Sequence, residues 1–134
     1  MQPIQQVCVI DDDEIYIYLI KKSLAALEIE HAVNSFSNGK EALKGLTSMI
    51  DQQLPIPEII FLDINMPIMD GWEFLKAFRE IQATLSSKIP IYIISSSIAA
   101  EDREKAKHFP EIVGYLSKPV ELETLASIIQ QEDL

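Results

Sequence analysis

The chain has 134 residues, 48% of them hydrophobic, which suits one domain with its own core and leaves no room for a second. Its formal charge is −10, from 21 acidic and 11 basic residues, and a polyanion gains nothing from counterion release, so no nucleic-acid partner is expected. The apolar runs 57–63 and 89–94 are strand-sized, far short of the about 20 residues that span a bilayer, so no membrane insertion is expected either.

The N-terminus, Met1-Gln2-Pro3-Ile4, has neither a basic n-region nor an apolar h-region, so no signal peptide is read there. Cys8 is the single cysteine and can form no internal disulfide; it sits in an apolar run and reads as a small buried hydrophobe. A reduced, cytoplasmic setting is the expectation.

Strand-like and helix-like segments alternate. Residues 6–10 form a short apolar run that stops at Asp11-Asp12-Asp13. Residues 14–27 follow with Ile15, Leu19, Ile20, Leu24 and Leu27 at helical spacing. The stretch 15–20 is rich in β-formers, yet the continuation to Leu27 and the need for a crossover predict a helix. Residues 32–36 read as a strand, and 41–50 as a helix with Ala42, Leu43, Leu46 and Ile50 on one side. A continuous apolar strand, 58–62, ends at Asp63. The loop 65–71 holds Pro67 and Asp70-Gly71, the latter read as a turn, and 72–81 is a helix with Leu75 and Phe78 inward and Trp72 packed at its start. Strand 89–94 ends at Ser95-Ser96-Ser97; a short charged helix, 101–108, a strand, 113–116, and a last helix, 121–130, complete the chain.

These are five βα units. Strands apolar on both faces and joined by helices predict an α/β fold with a parallel sheet covered on both sides, doubly wound because crossovers are right-handed. Ligands of such sheets bind outside the carboxyl ends of the strands. There the chain places Asp11 and Asp12 after strand one, Asp63 after strand three, Ser95 at strand four and Lys118 after strand five. Three carboxylates together resist ionisation unless a cation joins them. Mg2+ takes one or two carboxylates and keeps waters for a phosphate, Lys118 offers a point charge to a phosphate oxygen, and Ser95 offers a hydroxyl. A carboxylate can then attack phosphorus to form an aspartyl-phosphate.

The segments VCVIDDDE, FLDINMPIMDG, PIYIISSS and GYLSKPV, in that order, resemble the receiver domain of two-component response regulators over nearly the whole chain. The resemblance implies a flavodoxin-like five-stranded sheet in the order 2-1-3-4-5 and a chemotaxis-regulator-like single receiver over 1–134 with no output domain. It implies that Asp63 is the phosphoacceptor, and that Asp11, Asp12, Asp63 and the backbone carbonyl of Asn65 hold Mg2+, with Mn2+ as the other candidate ion. Ser95 corresponds to the switch hydroxyl, Tyr115 to the aromatic that turns inward, and Pro119 to a cis proline after Lys118. Ser96 stands where the family usually has alanine, and Asn65 and Ser97 occupy positions that tune dephosphorylation.

The implied donor is a histidine kinase or a histidine phosphotransfer protein, and the implied output is a surface including Ile98, Arg103, Lys107, Tyr115 and Glu121 that controls a separate partner or relays the phosphoryl group. Such a domain is a phosphoacceptor that catalyses its own phosphorylation and dephosphorylation, and not a turnover enzyme. Ile15, Ile17 and Tyr18 form an apolar outer face on the first helix that would dock the donor.

Taken alone, each piece has a plainer reading. Asp11-Asp12-Asp13 suits any helix N-terminus, with Asp13 a cap or first-turn charge, and Ser95-Ser96-Ser97 suits a polar loop. A phosphohydrolase of haloacid-dehalogenase type is the alternative for an aspartate nucleophile, but it needs a second acid where this chain has Asn65. A flavodoxin-like cofactor binder would need a phosphate-cradling loop where this chain has three acids.

Overall fold

The computed structural model describes residues 4–27, 32–96 and 99–131. Five strands, β1 (Gln6–Ile10), β2 (Ala32–Phe36), β3 (Ile59–Leu62), β4 (Ile91–Ser95) and β5 (Ile112–Ser117), alternate with α1 (Glu14–Ala25), α2 (Gly39–Asp51), α3 (Gly71–Gln82), α4 (Ala100–Ala106) and α5 (Leu122–Gln130). All strand pairs are parallel, in the order β2-β1-β3-β4-β5. This is the flavodoxin-like topology expected from the sequence. No helix among the described residues is long and apolar enough to cross a membrane.

The three central strands, β1, β3 and β4, are largely apolar because each divides its side chains between two cores. Cys8 and Ile10, Ile60 and Leu62, and Ile91 and Ile93 face one cluster, with Ala42 and Leu46 of α2 and Phe74, Leu75 and Phe78 of α3. Val7 and Val9, Ile59 and Phe61, and Ile94 face the other, with Tyr16, Ile20 and Leu24 of α1 and Leu125 and Ile129 of α5. The two-residue period of a strand therefore feeds both layers.

Local chemistry sets the helix starts. Asp13 caps α1 by accepting from the Ile15 and Tyr16 amides, and Asn38 caps α2 by accepting from the Glu41 amide at 3.0 Å. Asp70 is a cap and not merely a turn residue: it accepts from the Glu73 amide at 2.9 Å while the Glu73 carboxylate accepts from the Asp70 amide at 3.2 Å, a capping box. Helix α4 lacks such a device at its N-cap Ala99.

The first helix differs from its expected face. Its buried stripe is Tyr16, Ile20 and Leu24, spaced by four, while Ile15 is 73% exposed and Leu19 is exposed too. The segment is apolar all round, so its periodicity carries no phase, and packing against Val9 and Phe61 chooses Tyr16. Ile17, expected on the outer face with Ile15 and Tyr18, is half-buried against the second core. Tyr18 is 57% exposed, with the Lys22 ammonium 5.3 Å from its ring centroid.

Candidate functional site at the carboxyl edge of the sheet

Asp11 directly follows β1. Its amide donates to the Phe36 carbonyl at 3.0 Å, its carboxylate accepts from the Asp13 amide at 2.9 Å, and it is 2% exposed. Asp63 follows β3 in the same way: its amide donates to the Ile10 carbonyl, its Oδ1 accepts from the Ile64 amide at 2.9 Å, and it is 7% exposed. Asp12 is exposed beside them, and one carboxylate oxygen from each of Asp11, Asp12 and Asp63 lies within 4.8 Å of the others.

Lys118 comes in from the end of β5, where its amide donates to the Ser95 carbonyl at 3.0 Å. Its ammonium is 2.7 Å from Asp11 Oδ2 and 3.7 Å from Asp63 Oδ2. The Lys118–Pro119 peptide is cis, as the resemblance implied. Ser95, the last residue of β4, is buried, pairs in register with Ser117, and so lies on the same edge. The sequence-derived group of Asp11, Asp12, Asp63, Ser95 and Lys118 is thus brought to one edge of the sheet.

Asn65 lies two residues beyond Asp63, exposed in the β3–α3 loop. Tyr115 is half-buried on β5, and its hydroxyl donates to the Asp102 carbonyl of α4 at 2.8 Å. Arg103, Lys107 and Glu121 are exposed, whereas Ser97 and Ile98 lie outside the described residues.

Electrostatically the site is short of positive charge. Burial pushes the Asp63 carboxyl up to about 6 and the Asp11 carboxylate adds to this; Lys118 and the Ile64 amide pull it down, and Asp12 raises it further. Three clustered carboxylates, two of them buried, against one ammonium fit a divalent cation with oxygen ligands.

The loop after Asp63 is shaped by two backbone constraints. Ile68 has φ 69°, a strained region for a β-branched residue, in a tight turn closed by the Met69 amide on the Pro67 carbonyl. Gly71 donates to the Ile64 carbonyl at 2.8 Å, and a Cβ there would meet the Asp63 carbonyl oxygen at 2.7 Å and Ile64 Cα at 2.9 Å. Gly71→Val should therefore destabilise the fold by about 2 kcal/mol in urea unfolding and slow labelling of Asp63 by a phosphodonor, because the obstruction is the backbone of Asp63 and Ile64. Wild-type stability and labelling in Gly71→Val would contradict this.

Comparison with known proteins agrees with the family resemblance drawn from the sequence. Residues 7–130 match the response regulator receiver domain, and the chain belongs to that family. It is 34% identical over 101 residues to the probable transcriptional regulator ycf29 of Porphyra purpurea, covering 75% of this chain and 47% of the relative. It is 28% identical over 127 residues to hybrid signal transduction histidine kinase L of Dictyostelium discoideum, covering 94% of this chain and 7% of the kinase. The chain thus spans less than half the length of either curated relative. A solved two component response regulator from Cytophaga hutchinsonii superposes with a TM-score of 0.86 at 27% identity, covering 98% of both chains. Membership in this family supports the signalling reading and not the haloacid-dehalogenase alternative.

Proposed function

We propose that Asp63 accepts a phosphoryl group from the phosphohistidine of a histidine kinase or histidine phosphotransfer protein, and that the change in charge switches the α4–β5–α5 surface. The observation that carries this reading is the set of three carboxylates within 4.8 Å of one another beside an ammonium, at the carboxyl edge of a receiver fold. An Asp63 carboxylate oxygen attacks phosphorus, the phosphorus–nitrogen bond breaks, and the donor imidazole leaves with its electron pair. Asp11, Asp12, Asp63 and the Asn65 carbonyl would hold Mg2+, or Mn2+, which supplies neutralisation of the carboxylates and of the transferring oxygens. Lys118 keeps the attacking carboxylate ionised near neutral pH and then binds a phosphoryl oxygen.

Ser95 donates its hydroxyl to the phosphoryl group. Tyr115 leaves the Asp102 carbonyl and turns inward, which loosens the hold of β5 on α4. The surface carrying Arg103, Lys107 and Glu121 then favours a different partner, or the group is relayed onward. The setting for this chemistry is cytoplasmic, where phosphohistidine donors and reduced thiols coexist. Self-catalysed gain and loss of the phosphoryl group, without turnover of a further substrate, completes the cycle.

Incubation with acetyl phosphate and Mg2+, read by intact mass, should add one phosphoryl group, and chelation should prevent it. Repeated release of phosphate from assorted phosphoesters, with no adduct, would overturn the reading. Donor docking is assigned to Ile15 and Tyr18, the two residues of the predicted face that are exposed. Tyr18→Lys should slow transfer from a phosphohistidine donor about tenfold and leave labelling by acetyl phosphate unchanged. Equal slowing with both donors would refute the docking face.

A further inference from the structure

Tyr16 plays no part in the chemistry described so far, yet its ring centroid lies 4.5 Å from the Lys118 ammonium. It is 8% exposed and belongs to the core under α1 and α5. Its hydroxyl lies beside the Val120 backbone, two residues beyond Lys118; burial raises the phenol pKa, and that backbone acts to lower it against this larger effect. One side chain therefore touches both the charged tip of Lys118 and the backbone that carries it.

Tyr16 is also tied to the acids. Its amide donates to Asp13 Oδ1 at 3.3 Å, and the Asp13 amide donates to Asp11 Oδ1 at 2.9 Å. Asp11 Oδ2 in turn pairs with the Lys118 ammonium at 2.7 Å. The four residues close a circuit: Asp11 to Asp13, Asp13 to Tyr16, Tyr16 to Lys118, and Lys118 back to Asp11.

The chemistry of an aromatic face suits this task. Lysine is a flexible chain with considerable rotamer entropy, and a neighbouring cation site would repel its charge. A carboxylate in place of Tyr16 would hold the ammonium but would neutralise it and compete for its protons. An aliphatic side chain would fill the space without attraction. The ring attracts the charge through its quadrupole and occupies none of the ammonium protons as a conventional acceptor would. They stay available to Asp11, Asp63 and an incoming phosphoryl oxygen.

We propose that Tyr16 is the positioning residue for Lys118, fixing its ammonium over the phosphoacceptor through the ring face and fixing the 118–120 backbone through the hydroxyl. The proposal rests on the receiver reading above, and its test separates the two. At saturating Mg2+, Tyr16→Leu should be labelled by acetyl phosphate about tenfold more slowly, with the half-saturating Mg2+ concentration kept within about twofold because Asp11, Asp12 and Asp63 are untouched. Tyr16→Phe keeps the ring and should stay within about threefold of wild type. Placed in a Lys118→Met background, Tyr16→Leu should cost less than about twofold more, since the two act as a unit.

Proton NMR gives a readout independent of labelling. The Lys118 ε-methylene protons should be shifted upfield by the Tyr16 ring in wild type and in Tyr16→Phe, and should return to ordinary values in Tyr16→Leu. Wild-type labelling by Tyr16→Leu, additive loss with Lys118→Met, or ordinary Lys118 shifts in the wild-type protein would each overturn the proposal. A wild-type chain that takes no phosphoryl group defeats the receiver chemistry, and the NMR shifts still decide the Tyr16 contact. Should Tyr16→Leu not fold, the wild-type and Tyr16→Phe spectra decide it alone.

Discussion

Asp63→Asn is expected to take up no phosphoryl group from acetyl phosphate with Mg2+ and, at pH 7.5 without metal, to be more stable than the wild-type protein by about 1–3 kcal/mol. The first effect follows because an amide is a poor nucleophile toward phosphorus and the acceptor oxygen pair is lost. The second follows from where the carboxylate sits. Burial and the Asp11 charge raise its pKa from 3.8 to about 6, so the native state holds the proton more tightly than the unfolded chain does. Native stability due to this group is therefore greatest below about 3.8 and is lost as the pH rises through about 6. The advantage of Asp63→Asn should vanish below pH 4 and grow to a plateau above pH 7. Urea melts across that range measure it, and a stability gap that does not change with pH would contradict it. Addition of Mg2+ should close the gap from the other side, by stabilising the wild-type protein and leaving the variant nearly unaffected.

The second large effect belongs to Lys118. Its ammonium is paired at 2.7 Å with an Asp11 carboxylate that is itself almost wholly buried. Lys118→Met keeps the length of the stem and removes the charge. The variant should lose about 3 kcal/mol of stability in chelator, because breaking one side of a buried pair strands the other. Millimolar Mg2+ should restore most of that loss, since the ion replaces the missing positive charge among the same three carboxylates. Labelling at saturating Mg2+ should nevertheless remain slow, because the phosphoryl oxygen has lost its partner. Recovery of labelling along with stability would show that Lys118 acts only as a structural counter-ion. No response of stability to Mg2+ would deny the carboxylates their role as ligands.

The architecture was legible because β1, β3 and β4 are apolar on both faces, which only a doubly covered sheet explains, and because each stops at a polar residue. Those stops form the candidate site: Asp11, Asp63 and Ser95 stand at the ends of strands the sheet places side by side, so locating the ends located the cluster. Helix α1 was harder. With Ile15, Tyr16, Ile17, Tyr18, Leu19 and Ile20 in a row, nearly every rotation of the helix buries something apolar. The four-residue spacing of Tyr16, Ile20 and Leu24 was the available signal, and it was hidden by Ile15 and Leu19 one position earlier. The capping role of Asp70 was masked by the stronger Asp-Gly turn signal, although Glu73 three residues later marks the box. Tyr16 as a neighbour of Lys118 had no local signature at all, since the two are far apart in sequence and meet only in the folded chain.

Trp72 is the single tryptophan of the chain. It is buried one residue after the glycine that abuts the Asp63 carbonyl; its ring lies 5.7 Å from that of Phe109, and the Lys105 ammonium of α4 is 5.1 Å from its centroid. The protein consequently carries one indole fluorophore, wedged between the loop that follows Asp63 and α4, a helix with no side-chain cap. Any displacement of that helix withdraws a cation from the excited ring or admits solvent to it. Emission intensity and wavelength should thus report the face that the proposed function assigns to output, in real time and without a label, when the protein is mixed with a phosphodonor.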